Sequence, residues 1–493
     1  MIWYEYVIVG IYFLAAGLLF LYSLGQLHLT WLYLRQRNMH TQTPPPPPAE
    51  WPAVTVQLPV YNEKYVIERL LTAVCRLDYP LEKLEIQVLD DSTDETSDLA
   101  ARLVRRYQQK GLDIKHIRRS VRNGFKAGAL AYGLQQAKGD FLAIFDADFL
   151  PRADFLRQTI PWFADSKTGV VQTRWGHINR NYSFFTKMQA FGLDAHFSVE
   201  QSGRNSVDSF INFNGTAGVW RRACIEDAGG WQADTLTEDL DLSYRAQLRG
   251  WHFRYLEDLE SPAELPVLMP AIKSQQYRWN KGAAETARKL LGRVFKQPLP
   301  LTTKIHAAFH LLNSSVFLLL LIMGLLSLPM FFIKDHQPTL QHFFLLANFF
   351  LIGFLSIGFY FWVASKKAAH TRIKEHFVPM FFAFIVVSMG LALHNGLAVL
   401  EGLLGRKTPF VRTPKFNATD QGIQHESLRY LNRQTGWLPW LELLLAIYFA
   451  VGVWLAFRMD DFGLLPFHLM LMTGFAIISL SHIIPVFHHA KKD

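Results

Sequence analysis

Two aspartates one residue apart, Asp146-Ala147-Asp148, follow directly on the apolar run 141–145. Carboxylates placed where a buried strand leaves its sheet can share a divalent cation that also binds diphosphate oxygens. All-oxygen ligands of this kind suit Mg2+ or Mn2+. A lone Asp-x-Asp can equally well be a pair of turn carboxylates, so the rest of the chain must decide. Val88-Leu89 runs into Asp90-Asp91-Ser92, where Asp91 can accept hydrogen bonds from a pyrimidine imide or a purine edge, or help hold the ion. Helix capping by Asp91 or Ser92 is compatible with either role. Arg122, Asn123, Gly124 and Lys126 supply cations and backbone N–H groups suited to phosphate. Basic residues oppose the dipole at a helix start, and a bound anion would offset that cost.

Further along, Thr237-Glu238-Asp239 precedes a helical pattern over 240–247. A carboxylate in a first helical turn is held ionised by the helix terminus. An ionised, partly enclosed carboxylate is what a sugar hydroxyl needs as general base. Asp239, Glu238 and Asp241 all qualify by position, and capping competes with catalysis for each. Gln275-Gln276-Tyr277-Arg278-Trp279 lies on another helical stretch. Arg278 can pair with a diphosphate and Trp279 can offer a flat face to a sugar ring, although an Arg–Trp pair also serves as an anchor at a membrane surface. Phe213-Asn214-Gly215-Thr216 is a glycine-bearing turn that allows a ligand close to the backbone. This turn and Asn417-Ala418-Thr419 also fit the N-glycosylation pattern, but both fall on the side expected to be cytosolic, and neither is read that way.

The elements that must position these groups alternate. Strands are expected over 54–58, 84–89, 114–117 and 141–145, with helices over 64–76, 94–109 and 126–137. Such alternation predicts a parallel sheet with helices on both faces and a ligand site at the carboxyl ends of its strands. Around this α/β region lie long apolar blocks, and half of the 493 residues are hydrophobic. The net charge of +9 collects beside those blocks, as membrane orientation requires of cytoplasmic flanks, so no nucleic-acid partner is expected. Cys75 and Cys224 have no metal-site spacing and offer no disulfide framework, which fits a reducing compartment.

The stretch 7–29 is too long for a signal-peptide core and follows acidic Glu5, so it reads as a retained span with Arg35, Arg37 and His40 inside. Pro44 to Pro48 form a stiff spacer. Further spans are expected over 306–333, 343–363, 438–457 and 464–487, five in all, with 488–493 inside. Segment 377–404 has basic residues at both ends: Lys366, Lys367, Arg372 and Lys374 before it, Arg406, Lys407, Arg412 and Lys415 after it. Both ends should therefore face the cytosol, which predicts an interfacial or re-entrant element. The expected organisation is a first span and flank over 1–43, a spacer over 44–52, a catalytic domain over 53–295 and a membrane domain over 296–493. A loop over 405–420 lies within the last.

In order and spacing, Asp91, Asp146-x-Asp148, Thr237-Glu238-Asp239 and Gln275-x-x-Arg278-Trp279 resemble the processive family 2 glycosyltransferases of the cellulose synthase superfamily. The segments 126–130, 213–221 and 228–231 look like those of the cellulose synthase-like mannan and glucan synthases. The resemblance covers residues 50 to 295 closely and the membrane part mainly in arrangement. It implies an α/β GT-A (Rossmann-like) cytosolic catalytic domain inserted between transmembrane helices, and an inverting single displacement. By that likeness Asp239 is the base, and Asp146 and Asp148 hold the metal. Pro59, Tyr61, Glu63, Asp91, Lys126, Asp146, Gln275 and Arg278 bind the donor. Asn214, Gly215, Thr216 and Trp279 meet the acceptor. Phe410, Thr413 and Lys415 belong to a segment similar to the gating loop of cellulose synthases, with Arg412 where that loop usually has Val.

The function so implied is transfer of a hexose from a nucleotide diphosphate sugar to a growing β-1,4-glucan or mannan, with extrusion through a transmembrane channel. UDP-glucose is favoured as donor over GDP-mannose. The alternative is a non-processive enzyme acting on a glycolipid, while a transporter or scaffold fits the acidic motifs poorly. The expected setting is the lipid bilayer of a plasma, inner or Golgi-type membrane.

Overall fold

The computed structural model describes residues 3–39, 44–337, 349–367, 376–419 and 436–490. Its centre is a seven-stranded sheet: β1 Val54–Val60, β2 Leu84–Asp90, β3 Asp113–Arg118, β4 Phe141–Ile144, β5 Thr168–His177, β6 Gly218–Arg221 and β7 His252–Ala263. The strand order is β3-β2-β1-β4-β6-β5-β7. The first four strands pair in parallel, as expected. Beyond them the sheet is mixed, because β6 runs antiparallel to both β4 and β5. The chain enters β6 from the 213–217 turn, beside the end of β4, and can only run back along it (Ile144 faces Gly218). That reversal sets a glycine turn next to the two aspartates.

Burial of the central strands on both faces explains the layering. β1 and β2 are buried almost throughout. On one face Val54, Val56 and Leu58 pack with Ile67, Leu70, Leu71 and Val74, a helical spacing that gives the Ile67–Val74 helix one apolar side. On the other, Leu89, Leu142 and Ile144 pack with Leu130 and Leu134 of the Phe125–Gln136 helix. Polar side chains inside the sheet pair across strands: Thr55 donates to Glu85 at 2.7 Å and Gln57 to Gln87 at 3.0 Å, while Gln57 Oε1 and Gln87 Nε2 stay buried without a partner.

Among the described residues, four helices are long and apolar enough to cross a membrane: Trp3–Gln36, Ser315–His336, Leu438–Arg458 and Leu465–Ile484. The segment expected as an interfacial or re-entrant element forms two helices, Phe377–Gly390 and Ala392–Leu404, bent by 52° at their junction. The span expected over 306–333 begins later. Residues Leu301–Leu311 form a separate helix that packs against the sheet domain, and only Ser315–His336 continues as a long apolar rod. Polar partners hold the first helix away from that rod's path: His306 bonds Ser209 at 2.9 Å, and His310 bonds Tyr244 at 2.8 Å. Of the span expected over 343–363, residues 343–348 lie outside the described residues, and the rest falls in the helix Phe349–Lys367. His40, Arg372, Lys374 and residues 491–493 also lie outside them.

Candidate active site

The carboxyl ends of β1, β2 and β4 are adjacent in the sheet, so the residues that follow them meet. They open into a cleft with an empty volume of about 1120 Å3. Pro59, Tyr61, Glu63, Asp91, Asp146 and Asp148 line it from the sheet side. Lys126, from the first turn of the Phe125–Gln136 helix, lines the same wall. Asn214 and Gly215 enter from the turn before β6, and Asp239 from the start of the Glu238–Gln247 helix. Gln275, Arg278 and Trp279 project from one face of the Met269–Lys296 helix, as i, i+3 and i+4 positions do. Phe410, Arg412, Thr413 and Lys415 close the cleft from the membrane-side loop. Thr216 is the one expected site residue outside the lining. It is fully buried behind Asp146, whose backbone N–H donates to the Thr216 hydroxyl at 2.9 Å.

Opposite charges pair across this space. Lys126 Nζ lies 2.5 Å from Asp146 and donates to the Gly215 carbonyl at 2.8 Å. Lys415 Nζ lies 2.5 Å from Asp148. Arg412 makes a two-pronged contact with Glu63, at 3.0 and 2.7 Å. Asp91 is clamped by Arg119, whose guanidinium also bonds the Asn123 and Phe125 carbonyls, fixing the loop before the helix. Arg122 lies 3.4 Å from the centre of the Tyr61 ring. Phe410 stacks on Phe125 with centroids 5.4 Å apart, and Arg278 sits over the Phe410 ring while donating to Thr413 at 2.8 Å. The loop is thus tied to several walls of the cleft.

Asp146 and Asp148 fit a hard divalent cation by donor type, and both face the cleft. No group of three or more ligating side chains occurs among the described residues, so the remaining ligands would come from a bound diphosphate. Burial raises the pKa of Asp146, and neighbouring Asp148 adds to the effect against the pull of Lys126. A cation shared by the two would relieve that repulsion.

Three acids were candidates for the base, and their surroundings separate them. Asp241 is completely buried, with Arg245 and Lys289 each 2.8 Å from its carboxylate, and has no path to a substrate. Glu238 faces the cleft near Lys126 and Arg278, among the cations suited to phosphate. Asp239 sits against the glycine turn: a Cβ at Gly215 would lie 2.8 Å from its Oδ2, and φ there is +81°, a conformation that favours glycine. The helix terminus does not by itself set the charge of Asp239. Burial and then the adjacent Glu238 raise its pKa to about 7, against the hydrogen bond it accepts from Leu240 N–H.

Trp175 was not foreseen. It lies within β5, lines the cleft, and its ring is 6.4 Å from that of Trp279. Stacking on Phe197 at 4.7 Å fixes it. Nothing local in the sequence distinguishes it from a core aromatic. The clamp by Arg119 had a weak signal in the cation-rich run 118–122.

Residues 52–284 match the profile of the glycosyltransferase-like family 2. This region is a family 2 glycosyltransferase domain. The domain is 43% identical over 253 residues to glucomannan 4-beta-mannosyltransferase 7 of Arabidopsis thaliana, which covers 50% of this chain and 46% of the relative. It is also 43% identical over 266 residues to glucomannan 4-beta-mannosyltransferase 1 of Cyamopsis tetragonoloba, covering 53% and 51%. The chain spans about half the length of the curated relatives it matches. Among solved structures, the mannosyltransferase PcManGT from Pyrobaculum calidifontis, in complex with GDP-Man and Mn2+, shares the fold at 20% identity. The TM-score is 0.55, over 81% of this chain and all of that one. The resemblance of the family 2 domain to the cellulose synthase-like mannan synthases therefore stands.

Proposed function

We propose that the cleft is a β-glycan synthase site that transfers mannose from GDP-mannose to the 4-hydroxyl of a growing mannan or glucomannan chain. The observation carrying this reading is that Asp91, Asp146, Asp148, Asp239, Arg278 and Trp279, far apart in sequence, line one cleft. The sequence favoured UDP-glucose; the names of the two relatives, both glucomannan 4-beta-mannosyltransferases, move the preference to GDP-mannose.

In this mechanism the acceptor hydroxyl attacks the anomeric carbon of the donor on the face opposite the phosphate. The bond from that carbon to the phosphate oxygen breaks, and its electron pair leaves with GDP. An α-linked donor thus gives a β-linked product. Asp239 takes the hydroxyl proton, and a pKa near 7 suits a base working near neutrality. Lys126 and Arg278 neutralise the diphosphate as charge develops on it. A divalent cation, Mg2+ or Mn2+, on Asp146 and Asp148 would add to that neutralisation. Tyr61, Glu63 and Asp91 border the nucleoside, and Asn214, Gly215 and Trp279 the acceptor, with Trp175 beside Trp279.

The domain faces the cytosol in this reading and the apolar helices hold it in the bilayer, supported by the basic flanks of those helices. The nascent chain passes between them. The test is nucleotide diphosphate release by the purified protein across a panel of nucleotide sugars with Mg2+ or Mn2+. GDP-mannose should give the highest rate in the presence of manno-oligosaccharide. A higher rate with UDP-glucose would return the donor to glucose, no release with any sugar would end the enzymatic reading, and only short glycolipid products would end the polymer claim.

A further inference from the structure

Behind the Asn214-Gly215 turn lies a polar chain that reaches the first apolar helix. His196 begins a single π-helical turn, His196–Glu200, between the helices Phe184–Ala195 and Gln201–Asn205. Such turns recur at functional sites because they re-aim side chains. Here His196 Nδ1 is 2.7 Å from Glu200, and its Nε2 is 3.2 Å from the Asn214 amide nitrogen. Glu200 is buried, accepts from Gln26 of the Trp3–Met39 helix at 2.7 Å, and lies 3.6 Å from Arg204. The other side of the Asn214 amide is also fixed, since its oxygen accepts from Gln201 at 2.7 Å.

Asn214 presents its NH2 to His196 and its oxygen to Gln201, so Nε2 of His196 is the acceptor and Nδ1 carries the N–H directed at the Glu200 carboxylate. One N–H of that NH2 is used by His196, the other has no hydrogen-bond partner among the described residues, and Asn214 itself lines the cleft.

We propose that His196 is a positioning residue, its Nε2 fixing the Asn214 amide so that the remaining N–H meets a hydroxyl of the acceptor sugar. This rests on the reading that the 213–216 turn borders the acceptor. Glu200 sets the tautomer, and Gln26 ties it to the membrane-side helix.

The test uses the full chain, GDP-mannose and a manno-oligosaccharide of fixed length. His196→Leu removes the acceptor nitrogen at similar volume and should raise the KM for the oligosaccharide roughly fivefold to tenfold, with the KM for GDP-mannose unchanged. His196→Gln places an oxygen where Nε2 was and should restore the KM to within about twofold. Asn214→Ala should raise the same KM, and adding His196→Leu to it should have no further effect, since the two act through one contact. A normal acceptor KM in His196→Leu, or an effect that persists without Asn214, overturns the relay while leaving the acceptor turn in place. A normal acceptor KM in Asn214→Ala overturns both. Should His196→Leu not fold, Glu200→Gln carries the test: a neutral amide can donate to Nδ1 and move the ring proton to Nε2, and an unchanged acceptor KM there overturns the relay.

Discussion

In the cleft, Asp146 and Asp148 meet Lys126 and Lys415 at 2.5 Å each, across a space that a ligand can enter. At the start of the Glu238–Gln247 helix, Asp241 meets Arg245 and Lys289 at 2.8 Å each, with no exposed surface of its own. Both clusters balance charge, yet they do different work. The cleft partners come from separate segments, and each carboxylate can exchange an ammonium for a metal ion or release it to a diphosphate. The buried cluster has no such substitute, because removing one member strands the others away from water. Asp239 lies between the two arrangements, two residues from Asp241, and its raised pKa comes from burial without a cation of its own in contact.

Substitutions in the two clusters should have different effects. Asp239→Asn should lower kcat by about 10² to 10⁴, the usual contribution of a general base, with GDP-mannose affinity retained. In the unsubstituted protein kcat/KM should rise with pH through about 7, because the base is protonated, and inactive, below that value. Normal turnover in Asp239→Asn, measured by GDP release, would move the role to Glu238. Asp241→Asn should cost about 3 to 5 kcal/mol of stability, seen as a lower thermal midpoint, while the folded fraction still binds donor normally. Lost donor affinity at an unchanged midpoint would place Asp241 with the cleft acids instead. Arg278→Ala should raise the KM for GDP-mannose roughly tenfold to a hundredfold, the scale of one charge-assisted hydrogen bond. Arg412→Val, which removes the largely buried, two-pronged contact with Glu63, should raise that KM less than Arg278→Ala does, because the partner of Arg412 is a side chain and not the diphosphate.

The strands β1, β2 and β4 were legible from short β-rich runs that end at polar clusters: β4 is wholly apolar, while β1 and β2 alternate apolar residues with Thr55, Gln57, Glu85 and Gln87. The antiparallel β6 was not, since its direction depends on where the preceding turn lies in space. The break after Leu311 was hidden for a related reason: an apolar average over 306–333 does not register that His306 and His310 have partners on another segment. Trp175 reads as a core residue until the Met269–Lys296 helix is seen to bring Trp279 beside it.

The sequence by itself determined the family 2 signature, the parallel half of the sheet, the apolar helices and the acids placed where strands end, because each depends on neighbours a few residues away. That Glu238 and Asp239 face the cleft while Asp241 does not, that Arg412 reaches Glu63, and that His196 holds Asn214 came only with the folded arrangement. Those are questions of desolvation and orientation, and both are set by side chains up to 349 positions distant along the chain.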